Sequence, residues 1–278
     1  MSDDSVLILM GVLSGWLPIY PSMVFVIKNK WLKDGTIYTF LEIAIGVMLC
    51  HFVATCSSVF HTHHLLSPPQ QIILSSTGFI LGAGILMAYV TLRDALWIGP
   101  EDVIMMEEFD NKLFFLDPTS SKKRRFNIHA LRYDLALCYA IHSVGAGVAF
   151  FLHLNSKYQG TYGMTLLPYL LFTVIEGLSI AAPIARFPLS WPRVLIIGSI
   201  AGVPFVFGAG LGSVNLSTSF IVFLSSLSAG SLFYCIIMLM EMISMNQRSD
   251  KSPLFTALRV LLFFLISSFL HQGMHNHL

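Results

Sequence analysis

The chain has 278 residues, with 16 Lys and Arg against 15 Asp and Glu and a formal net charge of +1. Apolar residues make up 55% of it and charged residues 11%, and the mean hydropathy is +0.73. This composition excludes an ordinary soluble domain, because about 25% of the residues in such domains are charged. The balanced charge gives no indication of a nucleic-acid partner, and we expect none.

Apolar stretches follow one another along the whole chain, and each is long enough to form a helix of roughly 20 residues, as a bilayer core requires. The eight stretches lie near 5–27, 38–60, 71–92, 132–153, 164–184, 193–212, 218–243 and 254–271. We therefore predict an all-α polytopic membrane protein with eight transmembrane helices in a single domain, 1–278. The first stretch has no basic residue before it and no cleavage site, so we interpret it as a retained span.

The basic residues predict the direction of these spans. Fifteen of the sixteen Lys and Arg lie on one side of the predicted membrane, and Lys157 lies on the other. Cytoplasmic loops carry an excess of Lys and Arg, so both termini are expected on the non-cytoplasmic side. The one long connector, 93–131, is then cytoplasmic. It separates three leading helices from five trailing ones. A three-plus-two-plus-three layout then leaves helices four and five as a central hairpin, a place where transporters built from inverted repeats bind substrate.

Ionisable side chains near the middle of a predicted span are candidate functional residues, because lipid makes them expensive. They are His51 on helix two, His142 on helix four and Glu176 on helix five. Helices four and five run antiparallel, so His142 and Glu176 are expected at one level. Helical spacing adds Cys138 to the face of His142 and Thr173 to that of Glu176. Imidazole, carboxylate and thiolate bind divalent cations, zinc first; the alternative is that His142 and Glu176 only hydrogen-bond between helices.

Two histidine clusters lie on the predicted non-cytoplasmic side. They are His61, His63 and His64 in the loop after helix two, and His271, His275 and His277 at the end of the chain. Tracts of this kind bind metals loosely. We interpret them as residues that gather cations at the side of entry, with accidental composition as the alternative.

Three passages resemble the ZIP family of metal-ion transporters. Residues 140–147 of helix four, AIHSVGAG, resemble that family's A-x-H-N-x-P-E-G signature. Residues 173–183 of helix five, TVIEGLSIAAP, are close to its N-x-P-E-G-L-A-x-A-x-P. In helix six, Gly202 and Gly208-Ala209 match a S-G-x-x-E-x-x-G-A pattern.

The resemblance implies eight spans with outward termini and transport of zinc, or of iron or manganese, into the cytosol, with no organic cofactor. By position, His142 takes the family's helix-four histidine and Glu176 its helix-five glutamate. Other polar positions of the family are replaced here, by Ala146, Ser143, Phe172, Thr173, Phe205 and Thr55. What remains is a reduced site for one ion, made by His142 and Glu176 with Cys138 or His51, and flanked by Ser143 and Thr173.

We therefore predict a ZIP-like transporter and no enzyme, whose partners are a divalent metal ion and the lipid bilayer. It is expected to be a multi-pass protein of the plasma membrane in preference to an organelle membrane. A homodimer is one assembly that the sequence allows. Uptake should weaken as the outside pH falls through the histidine range, since neutral imidazole is the ligand. The alternatives are a transport-inactive homologue acting as sensor or partner subunit, and an intramembrane zinc hydrolase with three protein ligands and an activated water.

Overall fold

The computed structural model describes residue 6 and residues 9–28, 34–61, 66–97, 128–157, 162–182, 190–214, 216–245 and 253–276. Every regular element in these ranges is helical. The helices are α1 (Leu9–Lys28, with a π-helical turn at Val12–Trp16), α2 (Asp34–His61), α3 (Pro68–Trp97), α4 (Ile128–Lys157), α5 (Tyr162–Ala181), α6 (Trp191–Gly212), α7 (Thr218–Met245) and α8 (Pro253–Asn276). The all-α fold class is therefore confirmed.

Six of the described helices are long and apolar enough to cross a membrane. They contain the segments Leu9–Lys28, Thr36–Val59, Pro68–Arg93, Tyr133–Leu152, Trp191–Gly212 and Thr218–Ser244. Two shorter apolar segments, Tyr169–Ala181 and Leu254–Ser268, lie in α5 and α8. The protein is thus a helical membrane protein, while the full count of eight spans and the side of the termini stay predictions. The helices also enter the predicted connector 93–131 at both of its ends, and 98–127 lies outside the described residues.

The helices pack as two groups of four. Bundle one contains α1, α4, α5 and α6, with the largest contacts between α4 and α6 and between α1 and α5. Bundle two contains α2, α3, α7 and α8, with α3 against α7 and α2 against both α7 and α8. The predicted hairpin α4–α5 therefore lies inside one bundle, where each of its helices has a more extensive contact with another neighbour.

Glycines permit the closest helix contacts within each bundle. In bundle one, a Cβ atom on Gly147 would collide with the carbonyl oxygen of Phe205, and one on Gly208 with that of Val144. Bundle two repeats the arrangement where Gly82 and Gly230 meet the backbone of the facing helix. In lipid, helices associate through such close van der Waals packing, because the hydrophobic effect adds little there.

The two bundles meet where α4 and α5 of bundle one face α2 and α7 of bundle two, and the α4–α7 contact is the most extensive. At one end of the molecule lie Lys28, Arg93 and Arg259; we call it the basic end. There the Lys28 ammonium lies 4.6 Å from the ring centroid of Trp191, at the start of α6. The inter-bundle interface therefore runs through the middle of the structure, between the basic end and the opposite end.

Candidate metal centre between the two bundles

His142 lies at the midpoint of α4 and is 1% exposed. Its Nδ1 atom is 2.8 Å from the Oγ atom of Ser228 on α7, and that hydroxyl also donates to the carbonyl oxygen of His142 at 3.0 Å. The other ring nitrogen, Nε2, is buried without a hydrogen-bond partner among the described residues. Burying an unsatisfied polar atom costs about 1–3 kcal/mol. The ring is thus fixed by one nitrogen while the other keeps a free coordination position.

Two more rings surround this imidazole, and together we call His51, His142 and Phe172 the ring cluster. The ring centroids of His51 and His142 are 5.1 Å apart, with the planes at 84°. Phe172 stacks on His51 at 4.1 Å and meets His142 edge-on at 5.4 Å. Helices α2, α4 and α5 each contribute one ring, so the ring cluster lies across the bundle interface. The structure therefore brings the predicted residues His51 and His142 together.

Glu176 follows Phe172 by one turn on α5 and is 3% exposed. The Oγ atom of Ser179 donates to its backbone carbonyl at 2.7 Å. The Tyr139 hydroxyl lies 2.5 Å from that Oγ atom and 3.0 Å from the Met48 sulfur. Glu176 is thus a carboxylate buried between the ring cluster and a contact that joins α4, α5 and α2.

The remaining predicted ligands, Cys138, Ser143 and Thr173, are also buried. Thr173 donates its hydroxyl to the carbonyl of Tyr169 at 2.8 Å, within its own helix. Cys138 is buried beside Cys235 of α7. Ser143 is 2% exposed. In the ranges that the structure describes, no group of three or more His, Cys, Asp and Glu side chains is arranged to hold one ion.

The predicted gathering residues cannot be placed at this site. The side chains of His61, His63, His64, His271, His275 and His277 all lie outside the described part of the structure. Their role at the side of entry stays a prediction.

Two turns beyond His142 on α4, on the side away from Asp134, Phe150 packs with Tyr169 and Phe205, and we call these three rings the aromatic cluster. Ring centroids are 4.9 Å apart for Phe150 and Tyr169, and 5.3 Å for Phe150 and Phe205. Ala146, one turn from His142, packs against this cluster. Two positions where the ZIP pattern has carboxylates, Ala146 and Phe205, are thus apolar contacts in a buried core.

Toward the basic end, arginines neutralise buried carboxylates. Arg93 on α3 pairs with Asp134 on α4, whose side chain is 4% exposed. Arg259 on α8 pairs with Glu42 on α2 at 3.0 Å, and the Glu42 side chain is 3% exposed. Both carboxylates lie near the ends of apolar stretches, where contact with water would be ordinary. The structure instead buries them in ion pairs, because an arginine on a neighbouring helix is within reach.

Sequence reasoning missed several residues that define the site. The contacts in question are those of Ser228 with His142, of Tyr139 with Met48, and of Phe172 with the two imidazoles. They depend on which helices meet, and a single sequence does not show that. The only available signal was the serine-rich stretch of α7, residues 225–231, which contains four serines in the middle of an apolar span.

No protein-family model matches the chain, and no curated protein matches it. The ZIP resemblance therefore stays a prediction that rests on the passages in α4, α5 and α6.

Proposed function

We propose that this protein is a ZIP-like divalent metal-ion transporter that moves zinc toward the cytosol through a reduced site at the bundle interface. Iron or manganese is the alternative cargo. The proposal includes eight spans, with the basic end facing the cytoplasm and both termini away from it.

The observation that carries the proposal is the buried Nε2 atom of His142, which has no partner among the described residues and lies in a ring cluster with a second imidazole. An unpartnered nitrogen in mid-membrane is unfavourable unless a ligand binds it. Neutral imidazole is a preferred ligand of zinc. A buried carboxylate, Glu176, lies one helical turn beyond the ring cluster and would offset the charge of a divalent ion.

The two-bundle architecture supports a mechanism by alternating access. The ligands come from both bundles, with His142 and Glu176 on bundle one and His51 on bundle two. A shift of one bundle along the other would change the distance of His51 from His142 and Glu176, and so alter the ligand set of a bound ion while a path opens toward the basic end. Rigid movement of one repeat or bundle against another is the usual form of alternating access.

Zinc uptake by proteoliposomes containing the purified full chain tests this proposal. Wild-type protein should fill the vesicles with zinc, as reported by a trapped fluorescent indicator. His142→Ala and Glu176→Ala should lower the initial rate to a tenth or less, since losing even an outer partner of a metal ligand costs about 10–100-fold. Wild-type rates in both variants would refute these roles.

Ser58→Ala is the matched control, because Ser58 is an exposed polar residue on the same face of α2 as His51. The Ser58 hydroxyl donates to the carbonyl of Thr55 at 2.8 Å, within its own helix. This variant should transport like wild type. A loss of uptake in Ser58→Ala equal to that in His142→Ala would show that the assay reports folding and not ligation.

One observation favours a second candidate, a transport-inactive homologue acting as a sensor or partner subunit. Within the described ranges, the two imidazoles and the carboxylate do not form a three-residue metal group. Such a protein would bind zinc without moving it. Zinc binding by calorimetry combined with no vesicle uptake would support this candidate over the transporter.

A further inference from the structure

We infer that Ser228 is a positioning residue that holds His142 as the tautomer with its proton on Nδ1 and so leaves Nε2 free to coordinate metal. This inference deepens the proposed function and rests on it for the identity of the ligand. Its first measurement, however, concerns the metal-free protein. Ser228 lies on α7 and is 1% exposed.

The position of the protons follows from what surrounds Nδ1. The Ser228 hydroxyl has one proton, and the carbonyl oxygen of His142, 3.0 Å away, only accepts. With that proton donated to the carbonyl, the hydroxyl presents lone pairs to Nδ1 at 2.8 Å. The other polar neighbour of Nδ1 is the Ser228 carbonyl at 3.4 Å, again an acceptor. When the hydroxyl donates to the carbonyl, both polar neighbours of Nδ1 are acceptors, and the ring proton is then on Nδ1.

Nε2 then carries a lone pair. A second proton on this atom would place a charge in a buried position with no hydrogen-bond partner among the described residues, which is costly. Metal-binding histidines are held in the same way, since the nitrogen that does not bind the metal donates to a fixed acceptor that sets tautomer and ring orientation. The structure contains this arrangement, with the hydroxyl of Ser228 as the acceptor.

Gly145 explains how Ser228 comes close enough. A Cβ atom on Gly145 would lie 2.6 Å from the Cβ atom of Ser228 and 2.9 Å from the carbonyl oxygen of Leu224. Only glycine at this position of α4 allows α7 to approach so closely. Ser228 belongs to bundle two and His142 to bundle one, so a shift between the bundles breaks this hydrogen bond. Loss of the tautomer preference would then accompany metal release.

Nitrogen-15 NMR of the histidine rings tests the inference on the full chain in lipid nanodiscs after chelation of metal. The His142 signal is assigned by its loss in His142→Gln. Wild-type protein should show a protonated Nδ1 and a bare Nε2, whereas Ser228→Ala should show both tautomers. Ser226→Ala is the matched control, because Ser226 lies on the same helix, is buried, and its Oγ atom has no partner among the described residues. Its spectrum should resemble that of wild type.

Zinc titration of the same proteins is the second readout. Ser228→Ala should raise the Kd about 10–100-fold, as losses of outer partners do, while Ser226→Ala should leave it unchanged. A proton on Nε2 in the wild-type protein overturns the inference, and this result needs no variant to fold. A Ser228→Ala protein with wild-type tautomer and wild-type affinity overturns it as well. Wild-type protein that keeps the Nδ1 proton but binds no zinc refutes the proposed function and leaves the tautomer assignment standing.

Discussion

The aromatic cluster and the Arg93–Asp134 ion pair lie on opposite sides of His142 along α4, and they differ in which bundles supply their partners. Phe150, Tyr169 and Phe205 lie on α4, α5 and α6, all in bundle one. Arg93 lies on α3 of bundle two, whereas Asp134 lies on α4 of bundle one. The aromatic cluster therefore belongs to one bundle, whereas the Arg93–Asp134 ion pair joins the two bundles.

The contacts within bundle one and the contacts between the bundles differ in how much displacement they tolerate. Within bundle one, the aromatic cluster and the α4–α6 glycine contacts depend on close packing, which tolerates little displacement. Several contacts between the bundles are polar: His142 to Ser228, Tyr139 to Met48, and Arg93 to Asp134. Directional polar contacts can be exchanged for contacts with water as the bundles move. The inter-bundle interface is thus suited to change while each bundle stays intact.

Removing a ring from the aromatic cluster should have the largest effect on stability. Phe205→Ala leaves a cavity beside Phe150 and Tyr169, and truncating a buried Phe costs about 3–5 kcal/mol. The free energy of unfolding in detergent with increasing denaturant measures this loss. Phe207→Ala on the same helix is the control, because Phe207 is 61% exposed. Equal losses of unfolding free energy in both variants would contradict close packing in the aromatic cluster.

Removing the carboxylate from the Arg93–Asp134 ion pair should have the next largest effect on stability. Asp134→Asn removes the carboxylate charge from the Arg93–Asp134 pair, and breaking a buried pair costs about 3–5 kcal/mol. We expect the lower end of that range, because 12% of the Arg93 side chain is exposed. The same unfolding measurement reports the loss. A double variant with Arg93→Met should recover part of it, and a double variant no more stable than Asp134→Asn would contradict the pairing.

Adding a methyl group between α4 and α6 should have an intermediate effect. Gly208→Ala places a Cβ atom against the carbonyl of Val144, and overpacking of this kind costs about 1–3 kcal/mol. Gly210→Ala is the matched control two residues later, since no atom lies within 4 Å of its added Cβ. It should be neutral or stabilise by up to about 1 kcal/mol. Thermal unfolding curves that rank the two in the reverse order would contradict the close helix contact.

The second ion pair should give the smallest effect and so sharpen the comparison of the two ionic contacts at the basic end. In Glu42→Gln, the remaining Arg259 side chain is 36% exposed and can be hydrated. We therefore expect a loss of no more than about 1 kcal/mol. This pair also lies within bundle two, so the variant should leave zinc uptake unchanged. A fall in zinc uptake in Glu42→Gln would contradict a role for this pair that is confined to stability.

The sequence predicted the helical elements well, because lipid allows few solutions for a long apolar segment. Each predicted stretch overlaps one of the described helices, from α1 at Leu9–Lys28 to α8 at Pro253–Asn276. The candidate residues His51, His142 and Glu176 were also found from sequence, since ionisable groups are rare in such segments. All six long apolar spans could be located from hydropathy alone, without knowledge of tertiary contacts.

Sequence did not predict the partners of these residues. Periodicity indicates which residues share a face of one helix, but not which helix that face meets. Thr55 and Ser58 share the face of His51, yet both hydroxyls donate to carbonyls of their own helix. Phe172 stands where the ZIP pattern has a polar residue. In the structure its ring contacts both imidazoles.

The amino-acid sequence by itself determined that this chain is a bundle of membrane helices with imidazoles and a carboxylate at mid-depth, because hydropathy and charge act locally along the chain. Only the tertiary structure decided that the helices divide into two groups of four and that Ser228 orients His142. That result depends on how closely the glycines allow backbones to approach, as at Gly145, and such distances exist only after all the helices have packed.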